Sequence, residues 1–105
     1  MTDPDVRFGQ VWEGSPEAIG PVRWLVVSSD DYNAVFGARR VIAVEIDSTG
    51  KLPGTLREPI PDAGTAHLDR LTWVGRRQMR TLVAELHPDR HEAVAATIRN
   101  LIGNA

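Results

Sequence analysis

The chain of 105 residues has room for one domain with one hydrophobic core, so we predict a single domain over residues 1–105. The sequence contains no cysteine, which excludes disulfides, thiolate metal sites and cysteine catalysis. Its net charge of -2 argues against a generally cationic nucleic-acid binder. No apolar run approaches the roughly 18 residues that a membrane span needs, and the acidic start of the chain is unlike a signal peptide. We therefore expect a cytoplasmic protein without a membrane segment.

The basic residues are eleven arginines and one lysine. Four of the arginines lie between Thr65 and Arg80, a window with a single acid, Asp69. Because a guanidinium group binds phosphate through two parallel hydrogen bonds, this cluster predicts a local anion-binding face. For the excess of arginine over lysine in the whole chain, a GC-rich genome is the alternative explanation.

Short β-strands are predicted along most of the chain. β-Branched and aromatic residues favour strands at residues 9–13, 24–28, 39–46, 55–60, 67–74 and 80–86. Glycine, proline, serine, aspartate and asparagine favour loops or turns at residues 14–21, 29–38, 48–54 and 61–66. Pro59 places its strand at an edge of the sheet, because proline cannot donate to the hydrogen-bond ladder.

The periodicity changes at Pro88, where a C-terminal helix is predicted over residues 88–103. Its apolar positions are Val94, Ile98, Leu101 and Ile102. Pro88 and Asp89 suit the first turn of a helix, and Gly103 suits its end. Short antiparallel strands followed by one amphipathic helix predict a mainly β fold, in which the helix packs on a small barrel or strongly bent sheet.

Five segments in order resemble the MazF/PemK toxins of type II toxin–antitoxin systems, within the CcdB/PemK-like superfamily. They are GQVWE, an arginine before LVVSSDDYN, RRVIAVEI, HLDRLTWVGRRQMRTLVAEL and the C-terminal helix. The resemblance runs from about Phe8 to Gly103. It implies an SH3-like barrel, a homodimer, inhibition by a cognate antitoxin, and sequence-specific endoribonuclease activity on single-stranded RNA without a metal or cofactor.

The resemblance also points to site residues, because the family has an arginine just before this apolar strand. Where the family has a threonine at the end of the next strand, this chain has Asp47. An arginine and an aspartate that PemK carries two residues apart on a later strand correspond here to a histidine and an aspartate. The catalytic residues predicted in this way are Arg23, Asp47, Ser48, His67 and Asp69.

RNA cleavage by the ribose 2'-hydroxyl needs a base, an acid for the leaving 5'-oxygen, and cations for the charge on the phosphate. Arg23 would supply the cation, and His67 is the best proton carrier because imidazole titrates near pH ~6.5. Asp69, two residues further along an extended strand, would share its face and orient or charge the imidazole. A plain surface ion pair is the alternative for His67 and Asp69, while Asp47 would act as base or repel the phosphate.

RNA contacts are predicted at basic and aromatic positions and at the turn after the third strand. The predicted RNA-binding residues are Trp24, Thr49, Arg70, Arg76 and Arg77. Strand alternation predicts that Trp12 and Trp73 pack in the core instead. His87 and His91 have the i, i+4 spacing of a metal-binding pair, but the sequence offers no third ligand and His87 falls at the helix cap, so no metal site is predicted.

Two other functions fit the same pattern. CcdB-like toxins share the barrel and helix, and they bind DNA gyrase without being enzymes. GARRVIAVEI and HPDRHEAVAATIRNLIG resemble them about as well, although that family grips gyrase with a C-terminal tryptophan and this sequence ends LIGNA. A catalytically silent relative that only binds is the other possibility. In each case we predict a dimer, formed by the helix or a sheet edge, because so small a core cannot bury all the apolar residues.

Overall fold

A computed structural model describes residues 5–15, 20–52 and 54–102 of the chain. Its strands are β1 (Gln10–Gly14), β2 (Val22–Val26), β3 (Arg40–Asp47), β4 (Arg57–Ile60), β5 (Gly64–Gly75) and β6 (Thr81–Glu85). The helices are α1 (Asp30–Phe36) and α2 (Pro88–Leu101), with a short 3-10 helix at Arg76–Gln78. The strands form one antiparallel sheet in the order β4-β5-β3-β2-β1-β6. A mainly β fold with a C-terminal helix is therefore confirmed.

The sheet carries apolar side chains on both faces, which explains why its central strands read as unbroken apolar runs. On one face, Leu25 and Val44 are cross-strand partners and belong to the core cluster that includes Val94 and Ile98 of α2. On the other face a second cluster surrounds Trp12. Its other members are Val6, Trp24, Val26, Val41, Ala43, Val74 and Met79. Helix α2 thus covers one face, and the N-terminal segment and the end of β5 help to cover the other.

The loop predicted at residues 29–38 contains helix α1, so that prediction is wrong. Ser29 is the N-cap, and its hydroxyl oxygen accepts the backbone N–H of Tyr32 at 3.1 Å. Asp30 and Asp31 lie in the first turn, where negative charge is favourable next to the helix dipole. Serine and aspartate favour turns and helix N-termini for the same reason, because their side chains bond to nearby backbone N–H groups.

Strand β5 is longer than predicted, because residues 64–66 pair with β4, and residues 65 and 66 also pair with β3, instead of forming a loop. Ala66 lies opposite Ile46, and Thr65 lies opposite Asp47. Strand β2 begins two residues earlier than predicted, at Val22. Pro59 lies in the edge strand β4, as expected. The predicted helix stop Gly103 lies outside the described residues.

Helix α2 begins as the sequence predicts. The Nδ1 atom of His87 accepts the backbone N–H of Asp89 at 3.1 Å, which makes His87 the N-cap. In the first turn, Arg90 donates to both carboxylate oxygens of the buried Glu58 at 2.8 and 2.9 Å. This hydrogen-bonded partner raises the pKa of Arg90. The pair fastens the start of the helix to the edge strand β4.

The burial of the tryptophans agrees only in part with the prediction. Trp12 is buried, as predicted, but Trp73 is 70% exposed, which contradicts the expected core position. Trp73 lies opposite Ile42 in the sheet and borders a groove that also contains Ile98 and Ile102 at the end of α2. Its side chain is on the helix side of the sheet, beyond the part that α2 covers. In the described ranges, no helix is long and apolar enough to cross a membrane.

Candidate active site

Arg23 is held by a neighbouring strand and by the turn before β5. In the sheet register it lies opposite Glu13 of β1 and Ile46 of β3. Its Nε atom donates to Glu13 Oε2 at 2.8 Å, and its Nη1 atom donates to the carbonyl oxygen of Ala63 at 2.9 Å. Among the described residues, its Nη2 atom has no hydrogen-bond partner. The result is a guanidinium group, 29% exposed, with one free donor, which suits it to bind a phosphate.

The same turn packs against Ser48. Gly64 follows Ala63 with a φ of 125°, and a Cβ atom at this position would lie 2.7 Å from the carbonyl oxygen of Asp47 and 3.0 Å from Ser48 Cα. Only glycine allows so close an approach. The exposed Ser48 therefore lies beside the turn that holds Arg23.

Asp47, the last residue of β3, organises the turn that follows it. Its Oδ1 accepts the backbone N–H of Thr49 at 2.9 Å and the Thr49 hydroxyl at 2.7 Å. Its Oδ2 accepts the backbone N–H of Leu52 at 2.7 Å. These hydrogen bonds, first that from Leu52, hold the pKa of Asp47 far below its usual range. The carboxylate is ionised and bonded within its own turn, so the predicted role as a base is not supported by its geometry.

His67 is buried, with 1% of its side chain exposed, and its Nε2 atom lies 3.9 Å from Asp47 Oδ2. The predicted pair with Asp69 does not form, because Asp69 is exposed and makes no ion pair with any residue that the structure describes. The register of β3 and β5 shifts between Val44, which lies opposite Leu71, and Ile46, which lies opposite Ala66. Residues 67–70 therefore form a bulge opposite a single residue of β3. This bulge breaks the alternation on which the shared face of His67 and Asp69 depended.

The structure therefore assembles four of the predicted positions at one end of β3. They are Arg23, Asp47, Ser48 and His67. Only Arg23 and Ser48 of these are accessible to a ligand, since Asp47 and His67 are buried. A catalytic role for Asp69 stays a prediction. Glu13, which the sequence analysis did not single out, joins the group through Arg23, because the register of β1 and β2 places these two residues opposite each other.

The predicted RNA-binding residues do not lie on one surface, and they differ in how exposed they are to solvent. Trp24 is buried in the second core cluster, so the prediction that it stacks on bases is contradicted. Thr49 is exposed, and its hydroxyl donates to Asp47. Arg70 is exposed and lies 3.8 Å from Glu45. Arg76 and Arg77 border a different cavity, described next.

A cavity of about 340 Å³ lies between the 3-10 helix and the start of β6. Three arginines line it: Arg76, Arg77 and Arg80. The guanidinium of Arg76 lies 4.6 Å from the ring centre of Trp12, and Nη1 donates to the carbonyl oxygen of Met79. Within the described ranges, Arg77 and Arg80 form no ion pair. Three of the four arginines of the predicted cluster thus line one cavity, and anion binding there stays a prediction.

A second exposed feature, at the other end of β3, is missed by the sequence analysis. The guanidinium of Arg40 lies between two rings, 5.4 Å from the centre of Phe36 and 5.3 Å from that of Trp73. Both rings are exposed at their outer sides, Phe36 to 40%. No sequence signal marks this arrangement, because Trp73 alternates with polar residues just as a buried tryptophan would.

The histidine pair of α2 is engaged in the helix itself. His87 is the N-cap, and His91 Nε2 lies 3.1 Å from the carbonyl oxygen of Leu86. Among the residues that the structure describes, no three histidine, aspartate or glutamate side chains are grouped to hold a metal ion.

A half-barrel of short antiparallel strands, closed by a C-terminal helix and carrying a partly free arginine at a strand end, defines a small domain suited to bind an anionic ligand. The chain has the MazF fold. MazE-MazF (Form-II) from Deinococcus radiodurans matches with a TM-score of 0.70 and 23% identity, over 100% of this chain and 100% of that chain. Form-III of the same complex matches with a TM-score of 0.69 and 25% identity, over 97% of this chain and 98% of that one.

A mycobacterial endoribonuclease in complex with its cognate antitoxin matches with a TM-score of 0.66 and 21% identity, over 94% of this chain and 99% of that chain. No protein-family model matches the sequence, and no curated protein matches it. The small barrel of the MazF/PemK/CcdB type that the sequence predicts is thus confirmed as the MazF fold.

Proposed function

We propose that this protein is the toxin of a toxin–antitoxin system and acts as an endoribonuclease on single-stranded RNA. The observation that carries the proposal is Arg23 on a MazF fold, which presents a free Nη2 donor and is held by the turn that packs against Ser48. The similar solved structures are an endoribonuclease with its cognate antitoxin and MazE-MazF complexes. This likeness favours RNA cleavage over gyrase binding.

The chemistry follows from the position of the free donor. The 2'-hydroxyl of a ribose gives its proton to a base, and its oxygen attacks the adjacent phosphorus. The bond to the 5'-oxygen of the next nucleotide breaks, and this oxygen takes a proton from solvent water, so that a 2',3'-cyclic phosphate and a 5'-hydroxyl are formed. Arg23 binds the phosphate and stabilises the charge that grows on it. The exposed hydroxyl of Ser48 donates to the same group.

Glu13 is the carboxylate best placed to take the proton of the 2'-hydroxyl. Its Oε2 accepts from Arg23 at 2.8 Å, and its Oε1 has no hydrogen-bond partner among the described residues. The side chain is 34% exposed, so a substrate can reach it. A carboxylate next to the cation that binds the phosphate has the geometry of a general base.

The arginine-lined cavity is proposed to hold the RNA backbone away from the cleaved bond. Arg77 and Arg80 are exposed and pair with no described acid, so their charges are available to phosphates. Phosphate contacts position a nucleic acid without reading its sequence. They also make binding depend strongly on salt.

The homodimer is proposed to form through the groove next to Trp73. The groove has a volume of about 430 Å³ and is lined by Val27, Ile42, Leu71, Thr72, Trp73, Ile98 and Ile102. Trp73 projects from its rim, so the same surface carries both an apolar knob and an apolar hollow. Such a surface can be self-complementary about a two-fold axis, which makes a second copy of this chain the partner that fits.

A cognate antitoxin is proposed as the regulatory partner. The cytoplasm is proposed as the location, because the antitoxin and the RNA would be found there.

The proposed activity is tested by incubating the purified protein with a long unstructured RNA in excess EDTA and mapping the new 5' ends. Cleavage at a recurrent short motif, leaving 5'-hydroxyl ends, is expected. Intact RNA would contradict the proposed activity and favour a catalytically silent relative that only binds. Inhibition of gyrase supercoiling by the same preparation would support the CcdB-like alternative.

A further inference from the structure

Asp47 and His67 come from different strands and face each other inside the protein. Asp47 ends β3, and His67 lies in β5, two residues beyond the cross-strand partner of Asp47, Thr65. Both side chains are buried, and the Nε2 atom of His67 lies 3.9 Å from Asp47 Oδ2. This distance is within the range of an ion pair and longer than a hydrogen bond.

The imidazole has an unused polar atom where polar atoms are rarely left unused. Within the described part of the chain, His67 Nε2 is the buried side-chain atom that lacks a hydrogen-bond partner. Such an atom calls for an explanation, since a buried donor or acceptor without a partner is destabilising. The nearest acidic side chain is Asp47, so a proton on Nε2 would be directed at a carboxylate.

The carboxylate in turn holds the segment that carries Ser48. Asp47 accepts the backbone N–H groups of Thr49 and Leu52, on either side of the turn. Ser48, between Asp47 and Thr49, packs against Gly64 next to the turn that binds Arg23. Movement of the Asp47 carboxylate would therefore move the backbone of Ser48.

A second strand supports the same turn from outside. Arg57 of β4 is the cross-strand partner of His67, and its Nη2 donates to the carbonyl oxygen of Gly50 at 2.5 Å. The backbone at Gly54 also lies close to the imidazole, because a Cβ atom there would be 3.2 Å from His67 Nδ1. The imidazole of His67 thus lies between its own strand, β5, and the segment that follows Asp47.

We infer that His67 is a positioning residue, whose Nε2 carries a proton directed at Asp47 and thereby fixes the turn in which Ser48 packs against Gly64, beside the carbonyl group of Ala63 that binds Arg23. This inference rests on the proposed function for its consequence in catalysis, but the contact itself does not. His67 acts through Asp47 and does not touch the substrate, which agrees with the complete burial of its side chain.

The contact is tested first by amide hydrogen exchange, which needs no activity. In His67→Leu we expect the Thr49 and Leu52 amides to lose protection at least about fivefold more than the Leu86 amide, which bonds to Gly9 far from this turn. His67→Gln, which retains an amide donor, should keep most of the protection. Equal loss at all three amides in His67→Leu, or no loss, would overturn the inference.

A second arm uses the wild-type chain and Asp47→Asn and is informative even where His67 variants do not fold. In proton–nitrogen correlation spectra of the imidazole, Nε2 is expected to carry a proton in the wild type, and its resonance should shift in Asp47→Asn. An Nε2 without a proton, or a resonance whose chemical shift is the same in the wild type and Asp47→Asn, contradicts the contact.

The catalytic consequence is tested by a double-mutant cycle on RNA cleavage. His67→Leu should lower kcat at least about fivefold with little change in KM, and should add almost nothing in an Asp47→Asn background. Equal losses in both backgrounds would mean that His67 contributes packing alone and would reject the positioning role. If the wild type does not cleave RNA, the proposed function fails, while the exchange and imidazole measurements still decide the contact.

Discussion

The two ends of β3 use their polar groups in different ways. At the Asp47 end, a buried carboxylate accepts hydrogen bonds from the turn that follows it. Nearby, Glu13 and Ala63 hold Arg23 and leave its Nη2 nitrogen free. At the other end, Arg40 lies between the exposed rings of Phe36 and Trp73, beside an apolar groove. One end is ordered by contacts within the chain, as a catalytic site requires, and the other leaves apolar surface uncovered, as an interface requires.

The largest expected effect concerns the base at the ordered end. Glu13→Gln retains the shape of the side chain and a hydrogen bond to Arg23 but removes the proton acceptor. We expect kcat for RNA cleavage to fall at least about 100-fold, the lower range for loss of a general base. Single-turnover kinetics measure this directly. Cleavage within threefold of the wild type would leave Glu13 as a holder of Arg23 only, and the base would have to come from elsewhere.

The groove at the other end is tested by placing a charge in it. Trp73→Asp should weaken dimerisation at least about 30-fold, the size expected for a buried aromatic hot spot. Val35→Asp is a matched control, because Val35 is 73% exposed on α1 and lies outside the groove. Sedimentation velocity across a concentration series distinguishes the two variants. A wild type that is monomeric at micromolar concentration, or a Trp73→Asp dimer of unchanged strength, contradicts the proposed interface.

The sequence predicted those features of the fold and the site that depend on residues close together in the chain. The strands and α2 were predictable because a few neighbouring residues determine their periodicity. Helix α1 was missed because serine and aspartate favour both turns and helix N-caps. The positions of His67 and Trp73 were not predictable for two different reasons. A register shift between β3 and β5 changes the alternation at His67, whereas Trp73 is exposed because α2 does not cover its part of the sheet. Arg23 was found only through the resemblance to known toxins, because an arginine next to an apolar strand is common.

A smaller effect is expected at the arginine-lined cavity. Arg80→Ala should weaken binding of single-stranded RNA a few-fold, regardless of sequence, and should lower the salt dependence of binding by about one counterion. Fluorescence anisotropy with a non-cleavable RNA, over a range of salt concentrations, measures both. Arg99→Ala is the control, since Arg99 is an exposed arginine of α2 that pairs with Glu92 at 2.8 Å. Equal salt slopes for Arg80→Ala and the wild type would remove the cavity from the RNA path.

The smallest expected effect is on stability in acid. Because the pKa of Asp47 is lowered in the folded protein, its ionised form stabilises the fold above the usual aspartate pKa of about 3.9, and this stabilisation is lost as the pH falls below that value. Asp47→Asn should therefore have a lower Tm than the wild type at pH 6, and the difference should shrink toward pH 3. A difference that is constant with pH would mean that the hydrogen bonds of Asp47 do not depend on its charge.

The most direct test of the account is RNA cleavage by Arg23→Ala, measured beside Arg99→Ala. Arg23 supplies the one guanidinium donor that the ordered end of β3 leaves free, so its removal should lower kcat at least about 100-fold, as loss of a single transition-state donor does elsewhere. Circular dichroism should show a folded protein in both variants, and Arg99→Ala should cleave like the wild type. A folded Arg23→Ala variant that cleaves RNA at the wild-type rate would contradict the assignment of the active site to this end of the strand.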